Sequence, residues 1–121
     1  MDGRELSLVV LCKERYSEGV LKLLKHPTLC KMDQIDYHGN TALIVACERK
    51  MLEVALELLK HPVQCKINQV NNNNNTALII ACIGGMSEVA LGLLKHPTHC
   101  KMDQVNNYGN TALIYTCKNK L

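Results

Sequence analysis

Three cysteines each stand four residues after a histidine: His26 and Cys30, His61 and Cys65, His96 and Cys100, with His99 beside the last. Histidine and cysteine are the usual zinc donors, and zinc wants four of them in tetrahedral array. Each pair supplies only two, split by a proline. The chain also carries two rows of lysine, Lys25, Lys60 and Lys95, then Lys31, Lys66 and Lys101. Such rows could track a polyanion, with steep salt dependence. Both patterns share a spacing of 35 residues, and that spacing explains them without metal or phosphate.

The spacing belongs to the whole chain. Gly39-Asn40-Thr41-Ala42-Leu43-Ile44-Val45-Ala46-Cys47 returns as Asn75 to Cys82 and as Asn110 to Cys117. Leu23-Leu24-Lys25-His26-Pro27 returns from Leu58 and from Leu93. A period of this length marks a stack of units that cannot bury their apolar faces alone. The copies run over about 3–35, 36–70 and 71–105, with a half copy at 106–121, in a single domain.

Within a copy the plan is a turn, a short helix, a link and a second helix. In the second copy, Asp36 to Gly39 reads as a turn, with Gly39 free to take positive φ. Asn40 or Thr41 caps a helix through about Glu48. The second helix starts near Leu52, carries Lys60 in its last turn and is ended by Pro62. Cys65, Ile67 and Val70 then tuck under a loop of about ten residues. In the third copy five asparagines, Asn71 to Asn75, replace the turn, and Ser87 is the expected cap of the second helix. The first copy is degenerate and charged, as an end cap requires. In the half copy, Tyr115 and Thr116 replace Val45 and Ala46 and partly cap the stack, leaving open the face where a second helix would lie.

The chain has 121 residues, 47% apolar, without Phe or Trp, so its core is Leu, Ile, Val, Ala, Cys and Met. A net charge of +3 is too mild to argue for nucleic acid or a membrane surface. No apolar run is long enough for a membrane helix. The N-terminus lacks the layout of a signal peptide, which points to the cytoplasm or nucleus. The seven cysteines fall at two repeat positions. Stacked helices lie about 8–10 Å apart, beyond the roughly 7 Å Cα limit of a disulfide. The cysteines are therefore expected to be small buried hydrophobes. No Walker loop, Gly-x-Ser-x-Gly or His-Glu-x-x-His occurs, so no enzyme activity and no cofactor is expected.

Gly39-x-Thr41-Ala42-Leu43, Gly109-x-Thr111-Ala112-Leu113, and Glu53-Val54 through Leu58-Leu59 with the echo from Glu88-Val89 to Leu93-Leu94 resemble the ankyrin repeat over nearly the whole chain. The family's Thr-Pro-Leu-His becomes Thr-Ala-Leu-Ile here, and Pro62 replaces the usual glycine after the second helix. The period is 35 rather than 33, with the extra residues expected just after that proline. The resemblance implies an all-α ankyrin-like helical-hairpin solenoid of about three and a half repeats. It also implies a concave face of turns and first helices that grips another protein.

Comparison of the copies shows which positions on that face change. They are Tyr37, Asn72 and Asn107, then His38, Asn73 and Tyr108, then Glu48 and Ile83, with Arg49 beside them. These are the candidate partner-binding residues of a non-catalytic interaction module. Alternative readings are self-association through the open C-terminal half repeat and, more remotely, a polyanion surface along the lysines.

Overall fold

The structure is a computed structural model that describes residues 8–26, 30–96 and 100–119. Those residues form seven helices and no strand: α1 Leu8–Lys13, α2 Ser17–Leu24, α3 Ala42–Glu48, α4 Leu52–Leu58, α5 Ala77–Ile83, α6 Ser87–Leu94 and α7 Ala112–Asn119. They pair as hairpins α1–α2, α3–α4 and α5–α6, with α7 following. First helices stack in one row, α1 on α3 on α5 on α7, and second helices in another, α2 on α4 on α6. The all-α helical solenoid that the ankyrin resemblance implies is the fold observed.

Helix starts follow the repeated threonine. The Thr41 and Thr76 Oγ1 atoms each accept from the backbone N–H three residues on, at 3.2 Å. Thr41 is therefore the cap, and Asn40 is used elsewhere. Every residue from Ala42 to Cys47 and from Ala77 to Cys82 is buried. A seven-residue helix is too short to stand alone in water; these two are held because neighbours cover them on all sides. Second helices bury one stripe, such as Val54, Ala55 and Leu58 in α4. Each fully buried leucine contributes about 2 kcal/mol.

Three local expectations are corrected. Ser87 is the first helical residue of α6, not its cap; Met86 holds the cap position and no side chain bonds there. Met86 is buried instead, so this helix start is fixed by packing. The helix α4 stops at Leu58, ahead of Lys60 and Pro62. The chain then continues as turns, with the Cys65 N–H on His61 O and the Ile67 N–H on Pro62 O. This coiled segment buries Cys65 and Ile67, while Val70 is only half-buried.

The backbone takes the left-handed region at repeating places. Arg15, Lys50 and Gly85 do so at the link between helices, and Gly39, Asn74 and Gly109 at the turn. Lys66 and Lys101, members of one lysine row, do so as well. The charged residues Arg4 and Glu5 of the first copy and Lys120 of the half copy lie outside the described residues, as do Pro27, Pro97 and His99.

Candidate functional site

The turns that lead into α3, α5 and α7 are each built around one acidic or amide side chain. Asp36 Oδ1 accepts the N–H groups of His38 and Asn40, both at 2.9 Å. Asn71 Oδ1 does the same for Asn73 and Asn75, and Asn106 Oδ1 for Tyr108 and Asn110. This is an Asx turn repeated three times. The Asn run therefore holds a defined turn and is not a loose polar tract.

The amides then tie repeat to repeat. Asn71 Nδ2 donates to Asn40 Oδ1, and Asn106 Nδ2 to Asn75 Oδ1, each at 2.9 Å with all four residues buried. Backbone bonds run alongside. The Asn72 N–H donates to His38 O at 2.8 Å, and the Asn107 N–H to Asn73 O at 3.0 Å. The turns thus stack edge to edge as a ladder. Where the first junction would need a donor, Asp36 offers a carboxylate, and Lys13 Nζ lies 2.8 Å from its Oδ2. At the other end, the Tyr115 hydroxyl accepts from Asn106 and Asn110.

A cleft of about 440 Å³ opens between the turns and the first helices α1 and α3. It brings together His38, Glu48, Arg49, Asn72 and Asn73, five of the nine candidate residues. Its other walls are Lys13, Asp36, Asn40, Val45 and Asn71, which the sequence comparison passed over. For Asp36 and Asn71 the signal in the sequence is the Asp or Asn that recurs at positions 36, 71 and 106 as turn chemistry. The remaining four candidates lie elsewhere. Tyr37 and Tyr108 are 97% and 83% exposed on the turn tips, and Ile83 is exposed one repeat along from Glu48. Asn72 and Asn107 are partly engaged in the ladder. Asn72 Nδ2 donates to Tyr37 O at 3.0 Å, and Asn107 Oδ1 accepts from Asn74 Nδ2 at 2.6 Å.

The cleft holds charges of both signs. Glu48 is exposed as a residue, yet its carboxyl is partly desolvated and faces the Asp36 carboxylate; both effects raise its pKa. For Asp36, burial also favours the neutral acid. The Lys13 ammonium and the two turn N–H groups outweigh it, and its pKa falls below the usual range.

The thiols point inward. Burial pushes Cys12 and Cys65 up to about 12 and Cys82 to about 11. Of the seven, only Cys117 is exposed, and all are unbridged. Among the described residues no three His, Cys, Asp or Glu side chains converge on a metal-sized site. No helix of the described residues is long and apolar enough to cross a membrane.

The family model for ankyrin repeats in three copies matches residues 6–103 and 63–121. No curated protein matches the chain in sequence. Among solved structures, the crystal structure of an ankyrin repeat protein superposes with a TM-score of 0.76 at 27% identity, over 93% of this chain. This chain spans 55% of that protein's length. With the capped first helices, the paired rows and the stacked turns, these matches show that the chain belongs to the ankyrin repeat family, whose repeats generally mediate protein–protein interaction.

Proposed function

We propose that this chain is a non-catalytic binding module that holds another protein through its turn tips and the cleft behind them. The observation that supports it most is the convergence of His38, Glu48, Arg49, Asn72 and Asn73 on one cleft, with the rings of Tyr37 and Tyr108 exposed on the turn tips. Tyrosine and asparagine on rigid turns give contact area and hydrogen bonds at low entropy cost. The amide ladder beneath supplies that rigidity. We place the protein in the cytoplasm or nucleus, where unbridged cysteines stay reduced.

The test begins with affinity capture and cross-linking to identify the partner. The triple variant Tyr37→Ala, His38→Ala, Tyr108→Ala should then weaken binding by about a hundredfold, with unchanged melting. Unchanged affinity for that partner would overturn the reading.

Self-association is a second reading, supported by one comparison. Leu113 is 70% exposed, whereas its equivalents Leu43 and Leu78 are 0% and 2% exposed. Sedimentation over a wide concentration range decides it; a single-chain mass throughout would remove it.

A further inference from the structure

A second groove lies on the row of second helices, away from the turn tips. It is about 390 Å³, between the C-terminal halves of α4 and α6. Its floor is aliphatic: Leu56, Leu59 and Leu91, the last 63% exposed. Its rim carries two ammonium groups, Lys60 and Lys95, with His96 beside them, and one acid, Glu88.

Gly92 shapes this groove. The same repeat position is Lys22 in α2 and Glu57 in α4, both long and charged. Glycine weakens a helix interior, and Gly92 needs no left-handed φ that would excuse it. A Cβ there would come within 2.8 Å of Leu59 Cδ1. The glycine thus keeps a side chain out of the groove and leaves apolar surface flush between two lysines. Lys60 reaches Glu57 at 3.1 Å, but this pair is solvent-exposed and weakly held. Lys95 makes no ion pair among the described residues.

We propose that this groove docks an acidic amphipathic helix of a partner protein. Its aliphatic stripe lies across Leu56, Leu91 and Gly92, and its carboxylates meet Lys60 and Lys95. The mode is helix in groove, with anchors at helical spacing. Charge complementarity selects the occupant, since the rim repels a basic helix and the floor offers nothing to a purely polar chain. Together with the cleft at the turns, the molecule has two surfaces that can be filled at once.

The probe is a fluorescein-labelled synthetic helix with leucine at positions i, i+3, i+4 and i+7 and glutamate elsewhere. A twin carries lysine for every glutamate. The glutamate peptide should bind the full chain, shift the amide resonances of Leu56, Leu59, Leu91 and Gly92, and weaken as salt is added. The double variant Lys60→Glu, Lys95→Glu should lose about tenfold or more in affinity, and the lysine twin should not bind. Gly92→Glu should block binding while the chain stays folded by circular dichroism, because Glu57 already occupies that position in α4. No binding, equal binding of both peptides, or shifts confined to the turn tips would overturn the proposal. So would competition by heparin or anionic vesicles that persists in Leu91→Gln, which would make the surface a general polyanion site. The Tyr37, His38 and Tyr108 triple variant should leave this binding intact, so failure of one surface is distinguishable from failure of the other.

Discussion

Asn71 Nδ2 donates to Asn40 Oδ1 at 2.9 Å across 31 residues of sequence, with both side chains buried. The same Asn71 accepts two turn N–H groups through its other side-chain atom. One residue therefore shapes its own turn and fastens it to the preceding repeat. Replacing it by alanine leaves two N–H groups and one amide oxygen without partners. Asn71→Ala is expected to cost about 3 kcal/mol, read as a lower urea midpoint.

Asp36 fills the same place at the first junction but as a charged, bonded carboxylate. Its pKa is depressed in the fold, against an ordinary value of 3.8. The stability it contributes is present above that ordinary value and is lost as pH falls through the folded pKa. Urea midpoints should thus drop on acidification below about pH 5. Asp36→Asn, which keeps the Asx turn, should flatten that limb; an unchanged acid slope would contradict the assignment.

Glu48 works in the opposite sense, because its pKa is raised in the fold by desolvation and by Asp36. Its contribution is full at acid pH and lost as pH rises through the folded value. Glu48→Gln should therefore stabilise the chain at neutral pH and give no gain near pH 3. The gain should be under about 1 kcal/mol, since the cleft is open and water screens the charges.

Gly39 and Gly109 share a left-handed backbone, φ +77 and +78, yet differ in surroundings. At Gly109 an added Cβ meets nothing within 4 Å, whereas at Gly39 it meets Asn71 Cα at 3.1 Å. Gly109→Ala should cost about 1 kcal/mol, the left-handed penalty alone. Gly39→Ala should cost about twice that, because the next turn must also move. Equal thermal shifts would refute the packing contribution.

Six of the seven cysteines are buried and Cys117 is exposed. A thiol reagent should label one cysteine quickly in the native protein and the rest only on unfolding. Cys117→Ser should remove the fast phase.

The sequence by itself determined the stack. Residues recurring at a fixed spacing must occupy equivalent environments, so Thr41, Thr76 and Thr111 had to fall at successive helix starts. The inward cysteines followed from the same logic. Helix ends were less legible: Ser87 and Pro62 are common signals of a start and a stop, but burial of Met86 and the coiled segment after Leu58 overrode them. Within the candidate site, variation between copies pointed to His38, Glu48 and Arg49. It gave no warning that Asn72 bonds the Tyr37 carbonyl, because a backbone acceptor leaves no mark in side-chain identity, or that Asn107 meets Asn74, because that contact joins different positions of the repeat. Only the tertiary structure decided which variable residues share a cleft, that Asp36 is paired by Lys13, and that Gly92 lies against Leu59. Each depends on a distance between repeats, and a period in sequence fixes the order of repeats without fixing how closely they approach.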